Sequence, residues 1–296
     1  MHNMERLFRS VADKGHVCVG LDTAIEHLPP ELGSDAGAVL DFNKALVDAT
    51  CDVAACFKVQ IAYYEELGLA GLSVYAETLA YIRKRGHLVI ADIKRGDIAD
   101  TAERYARAHF HGEFQADFVT LSPYLGMDSL EPWIRTAEGK GAFVLMRTSN
   151  KGMRDFQCLK VDSGGEARPL YRAVGDRLAE LAKQARLAGQ PGDSGYGPFG
   201  AVVGCTEREE AAEIRRAYPD LFFLIPGYGA QGGGAADAAL LLREGNGGVV
   251  NASRSILTAW KGKTSPAGLS PLAFAAEAAR EEALKMRDAI RGAVAG

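Results

Sequence analysis

An α/β fold of the (β/α)8 TIM-barrel type, in a single domain spanning residues 1–296, is what the sequence pattern predicts, on three observations. Eight short apolar runs recur along the 296 residues. The gaps between them are too wide for hairpins, wide enough for a crossover helix, and carry helical periodicity. No Gly-x-Gly-x-x-Gly turn follows the first run, where Gly20-Leu21-Asp22-Thr23 stands instead. That weighs against the doubly wound dinucleotide-binding sheet, which the same alternation also allows.

The runs, taken in order, are short, apolar and bounded by polar or turn residues, as buried parallel strands are. The first covers 16–21 (HVCVGL) and the second 55–59 (ACFKV), with a helical stretch at 38–49 between them. A helix at 71–84 leads to the third run, 87–93, and one at 100–111 leads to the fourth, 117–121 (DFVTL). The fifth, 142–147 (AFVLMR), follows a helix at 129–138, and the sixth, 200–205 (GAVVGC), follows a long one at 170–187. Helices at 207–218 and 235–243 precede the seventh and eighth runs, 221–225 (LFFLI) and 248–252 (GVVNA). A last helix at 271–289 closes the chain. An extended loop region at about 148–200 flanks the long helix, with irregular parts at 149–165 and 189–200. Long loops at the C-terminal ends of strands tend to serve as lids, and 149–165 is the expected one.

Composition narrows the function classes. A net charge of −4 with 24% charged residues supplies no basic field for nucleic acid or an anionic membrane. Any anionic ligand must therefore be held locally. Cys18, Cys51, Cys56, Cys158 and Cys205 are scattered, with no Cys-x-x-Cys pair and no metal-ligand spacing. Three of them sit inside apolar runs as small core residues. The first ten residues lack an apolar signal core and no run is long enough to span a bilayer, so a reduced, cytoplasmic location is expected.

The chemistry gathers where the runs end. Asp92-Ile93-Lys94-Arg95-Gly96-Asp97 closes the third run. Side chains two apart on a strand point the same way, so Asp92 and Lys94 share a face. Asp22 ends the first run, Lys58 lies in the second, and Thr120-Leu121-Ser122-Pro123 ends the fourth. Five charged groups (Asp22, Lys58, Asp92, Lys94, Asp97) at strand ends are costly to bury unless they compensate one another. The Gly-rich turn 226–234, which contains Gln231, and Asn251-Ala252-Ser253-Arg254 after the eighth run form a candidate phosphate site. Bare backbone amides and a guanidinium fork both suit phosphate oxygens, and barrels commonly bind phosphate after the seventh and eighth strands.

Asp92-Ile-Lys94-Arg-Gly-Asp97-Ile98-x-x-Thr101 resembles the signature of the orotidine 5′-monophosphate decarboxylase family, and the likeness covers most of the barrel. It includes Val19-Gly-Leu-Asp22, Phe57-Lys58-Val-Gln, Pro226-Gly-Tyr-Gly-Ala-Gln231-Gly-Gly and Ser253-Arg254-Ser-Ile. Phe57-Lys-Val-Gln-Ile-Ala-Tyr-Tyr and Leu121-Ser-Pro-Tyr-Leu-Gly are similar to the longer, type 2 branch. The resemblance implies cofactor-independent decarboxylation of orotidine 5′-monophosphate (OMP) to UMP, with no metal. It implies that Lys94 protonates the C6 carbanion, that Asp92 lies near the substrate carboxylate, and that Lys58 and Asp22 reach the ribose. It further implies that Ser122 binds the pyrimidine edge, and that Gln231, Arg254 and the amides near Ser253 bind the 5′-phosphate. Asp97, Ile98 and Thr101 are expected from a neighbouring subunit, which makes the active unit a homodimer. One departure from the compact branch is Ser253, where a glycine usually precedes the arginine.

Two other readings remain at this point. One keeps the barrel but uses Asp-x-Lys-x-x-Asp with Mg2+ on a sugar phosphate, as a decarboxylase or aldolase; the other is a nucleotide-binding regulator without catalysis. His87, His109 and His111 are read as non-catalytic, His87 because it begins its strand at the opposite barrel end. Tyr63, Tyr64, Trp133 and Trp260 are read as packing residues.

Overall fold

The computed structural model describes residues 1–136, 139–162, 167–188, 192–229 and 232–296. Among them, β1 (Val17–Leu21), β2 (Cys56–Gln60), β3 (Val89–Arg95), β4 (Phe118–Leu121) and β5 (Gly141–Arg147) run in sequence around a parallel barrel. A two-stranded antiparallel excursion follows, β6 (Lys160–Asp162) with β7 (Ala167–Pro169). β8 (Phe199–Val203), β9 (Phe223–Ile225) and β10 (Gly248–Ala252) then complete the closed order β1-β2-β3-β4-β5-β8-β9-β10. The eight expected strands are these eight, each within two residues of the expected ends.

The alternation of side chains along these strands builds two separate apolar clusters. Outward residues such as Val17, Val19, Phe57, Val59, Val119 and Val144 pack under the helices. Inward residues such as Cys18, Cys56, Ile90, Phe118, Phe143, Phe222 and Val249 fill the barrel. Each fully buried phenylalanine of this interior contributes on the order of 2–3 kcal/mol.

The helices are α1 (Asn3–Lys14), α2 (Ala36–Thr50), the short α3 (Ala62–Glu65), α4 (Gly68–Lys84), α5 (Ala99–Phe110) and α6 (Glu131–Thr136). They continue with α7 (Leu170–Ala188), α8 (Arg208–Ala217), the short α9 (Ala235–Ala239) and α10 (Arg254–Leu257), and α11 (Pro271–Ala295). Capping explains several starts. Asp35 accepts the Ala38 N–H ahead of α2, and Ser270 accepts the Ala273 N–H ahead of α11, whose first residue is Pro271.

α1 is an element that the sequence analysis does not assign, although Met4, Leu7, Phe8 and Val11 stand at helical spacing. It plugs the N-terminal end of the barrel, with Met4, Leu7 and Val11 joining the interior cluster. Asn3 donates to the Asp117 carboxylate at 3.1 Å and Ser10 donates to the Ala55 carbonyl at 2.7 Å. With one end stoppered, the C-terminal end is the open one.

The segment expected to be an irregular lid carries regular structure: a 3-10 turn at Lys151–Asp155 precedes β6 and β7. Residues 163–165 of that stretch and 189–191 of the second irregular stretch lie outside the described residues. Among the described residues, no helix is long and apolar enough to cross a membrane.

Candidate active site

Continuing the inward parity past the apolar plug brings polar residues to the open end. β2 presents Lys58 and β3 presents Asp92, and both are almost fully buried, at 5% and 6% exposure. Lys58 Nζ lies 2.8 Å from Asp22 Oδ1 and 2.9 Å from Asp92 Oδ2. Lys94 Nζ lies 2.6 Å from Asp92 Oδ1, and the Thr120 hydroxyl donates to that same oxygen at 2.8 Å. Asp92 thus sits between two ammonium groups, one buried and one open to the cavity, since the Lys94 side chain is 47% exposed.

Burial opposes charge on these groups and pairing overrides it. Burial alone would lower the Lys58 ammonium, but the Asp22 and Asp92 carboxylates raise it well above the usual lysine range. Burial alone would raise the Asp92 carboxyl, but Lys58 and Lys94 hold it well below the usual carboxylate range. Near neutrality the cluster is therefore ionised at both Lys58 and Asp92.

The backbone is irregular at Lys94. β3 and β4 pair Ala91 with Val119 and then Arg95 with Leu121, so one strand slips against the other between those pairs. Lys94 takes the left-handed φ of +45°. A residue with a Cβ held there carries about 1–3 kcal/mol of strain. Such an outlier marks a position that the surrounding structure fixes.

Above these residues lies a cavity of about 620 Å³. Asp22, Lys58, Asp92, Lys94 and Thr120 form one wall; Thr148, Ser149 and Asn150, following β5, form another. Gly227, Tyr228, Asn251, Ser253 and Arg254 close the side of β9 and β10, and His27 and Tyr63 stand at the rim. Gly227 and Gly229 have φ of +105° and +70°, which is why the turn there needs glycine. Gln231 lies outside the described residues. Ser253 sits against β1, where a Cβ on Gly20 would come within 2.0 Å of its hydroxyl oxygen. Glycine at position 20 is what lets Ser253 enter the site.

Six of the residues named from sequence (Asp22, Lys58, Asp92, Lys94, Ser253 and Arg254) therefore line one cavity. Others do not. Ser122 follows the end of β4 and donates its backbone N–H to Arg95, outside the cavity wall. Asp97 turns back to accept the Ile98 N–H at 2.8 Å, while Ile98, at 55% exposure, and Thr101 face outward at the start of α5. Within one chain, the charge network consists of Asp22, Lys58, Asp92 and Lys94, and Asp97 is not part of it.

Sequence reasoning placed Thr120 at the end of the fourth run without giving it a role, although it shares inward parity with Phe118, and read Thr148–Asn150 only as the start of a lid. Tyr63 lines the cavity, whereas Tyr64 is a core residue as expected, fully buried and donating to the Leu21 carbonyl at 3.2 Å. His87 lies at the stoppered end beside Lys14, also as expected.

A family model described as orotidine 5′-phosphate decarboxylase / HUMPS family matches residues 15–265, a stretch that holds every barrel strand and every site residue above. The chain belongs to that family. It is 51% identical to the orotidine 5′-phosphate decarboxylase of Clostridium acetobutylicum over 294 residues, covering 97% of this chain and 98% of that one. The Petrotoga mobilis protein of the same name is 51% identical over 264 residues, covering 87% and 89%. The solved structure of Leishmania donovani OMP decarboxylase matches with a TM-score of 0.74 at 33% identity, covering 98% of this chain and all of that one. The solved structure shares the overall fold, whose open end here carries the Lys58–Asp92–Lys94 cluster.

Proposed function

We propose that the chain decarboxylates OMP to UMP and CO2 in pyrimidine biosynthesis, with Lys94 as the proton donor. The observation that carries this reading is a lysine ammonium in the cavity wall, held at 2.6 Å by a buried carboxylate that a second ammonium anchors. Breaking the C6–carboxylate bond leaves its electron pair on an sp2 carbon outside the ring's π system. The Lys94 ammonium stabilises that pair as it forms, passes one proton to C6, and regains a proton from solvent through its exposed side. A charge pair at ~4 Å is worth about 4 kcal/mol at an effective dielectric near 20. Enzymes lower barriers by roughly 8–23 kcal/mol, so the fixed charges of Lys58 and Asp92 must add preorganised field.

Arg254 and the backbone around Ser253 and Gly227 hold the 5′-phosphate, Gln231 is carried over from the family resemblance as a further phosphate donor, and Asp22 and Lys58 meet the ribose. Thr148 and Ser149 lie in the wall and suit the pyrimidine edge better than Ser122 does. Asp97, Ile98 and Thr101 complete the site across a homodimer interface; the outward-facing Ile98 supports this. Five free thiols suit a reducing, cytoplasmic compartment.

The family description also covers a HUMPS branch, but the near-full-length curated relatives at about half identity are decarboxylases. The Mg2+-dependent sugar-phosphate reading is accordingly not favoured. Lys94→Ala decides the mechanism: UMP binding and the folded barrel are retained while kcat on OMP falls by more than roughly 10⁴-fold, the upper end of what a general acid supplies. Turnover close to the parent would remove Lys94 from the chemistry.

A further inference from the structure

We propose that Thr120 is a positioning residue for this reaction, its one hydroxyl setting both the Asp92 carboxylate and the backbone turn that carries Lys94. The proposal rests on Lys94 as proton donor and extends it to a residue that touches no reacting atom. Thr120 is 1% exposed and sits on β4, facing the slipped section of β3. Ile93 and Lys94 lie between the Ala91–Val119 and Arg95–Leu121 pairs, where the β3–β4 register shifts. Their N–H groups both donate to Thr120 Oγ1, each at 3.0 Å. The hydroxyl proton goes to Asp92 Oδ1 at 2.8 Å, the same oxygen that receives Lys94 Nζ. A hydroxyl has one donor and two acceptor sites, and here all three are in use.

The arrangement couples two things that regular strand geometry would not deliver together. Lys94 adopts its left-handed φ because two consecutive N–H groups find a side-chain acceptor where the register shifts. Asp92 keeps one rotamer because Oδ1 is held by Thr120 and Oδ2 by Lys58. The Lys94 ammonium is thereby located from both its backbone and its partner carboxylate. A valine at 120 has the same shape and supplies none of these bonds. It would leave the Ile93 and Lys94 N–H groups without this acceptor and Asp92 Oδ1 with the Lys94 ammonium as its remaining partner.

The test is steady-state kinetics on OMP for the parent, Thr120→Val and Thr120→Ser, with thermal unfolding of each. Misplacing a reacting group by about 1 Å costs on the order of 10²-fold, so Thr120→Val should lose about that much kcat. Its KM should stay within about threefold, because the phosphate and ribose contacts are untouched. Thr120→Ser, which keeps the hydroxyl, should retain kcat within about threefold of the parent. If Thr120→Val fails to fold, Thr120→Ala is read by the same split. A kcat near the parent's in the valine or alanine variant, a rise in KM alone, or a loss in Thr120→Ser as deep as that in Thr120→Val would each overturn the proposal. A parent chain that leaves OMP unchanged would instead overturn the assigned reaction, so the two failures are told apart.

Discussion

Asp92 accepts bonds from two lysines and a threonine while nearly out of contact with water. Its carboxyl is held well below the usual range, so it contributes stability that is present above the unfolded value near pH 4. That contribution is lost as pH falls through the lower folded value. Lys58 is raised, so its contribution is complete below the unfolded value near 10.4 and is lost only as pH climbs beyond it. Between about pH 5 and 9, then, the cluster's share of stability should be flat. Lys58→Met takes the ammonium from Asp22 and leaves Asp92 with Lys94 and Thr120, and breaking a buried pair from one side costs about 3–5 kcal/mol. Urea unfolding at pH 7 should show a deficit of that size, shrinking below about pH 4, where the parent loses the stability that its lowered Asp92 carboxyl contributes. A deficit that stayed constant down to pH 3 would mean that the loss is one of packing rather than charge.

His109 on α5 lies 2% exposed between the rings of Phe114 and Trp133. Burial lowers its imidazole to about 4 from an ordinary value near 6.5. Across that window the unfolded chain takes up a proton and the folded chain does not, so stability falls on acidification, by up to about 3 kcal/mol. Replacing the ring by His109→Phe should flatten the stability–pH curve between pH 6.5 and 4, which denaturant titrations at several pH values would reveal. The junction of β1 and β10 makes a second prediction. Gly20→Ala drives a methyl into the Ser253 hydroxyl and should lower the melting temperature, whereas adding Ser253→Gly should restore most of it. Additive losses in the double variant would show that the two positions do not share the space. The loop after β5 is also held locally. Gln157 accepts the Thr148 N–H and donates to its hydroxyl, both at 2.9 Å, so Gln157→Ala should raise KM for OMP several-fold, roughly what one hydrogen bond of ~1 kcal/mol is worth.

The complete catalytic unit is larger than one chain on this reading, because Asp97, Ile98 and Thr101 stand outside the cavity that Lys94 lines. Mixing Lys94→Ala with Asp97→Ala subunits should recover activity, since random exchange in a twofold dimer leaves roughly one site in four with both residues intact. Proven exchange without recovery would rule out a shared site. Most of the architecture was legible beforehand: the apolar runs at 16–21 or 248–252 have no stable alternative to a strand buried on both faces, and their spacing admits only crossover helices. The Asp92–Lys94 pairing followed from strand parity, and the family from the charged signature that contains it. Other features depended on neighbours far away in the chain. Met4, Leu7 and Val11 make α1 amphipathic, yet only a barrel end lacking a stopper gives that face something to cover. Ser122 keeps the inward parity of Phe118 and Thr120, but the strand ends at Leu121 and the chain turns away. Linear order thus dictated which side chains point inward, because strand alternation is local. Which inward groups meet was decided by register between strands, and a slip at Ala91–Arg95 that no local pattern records placed the Thr120 hydroxyl beneath Lys94.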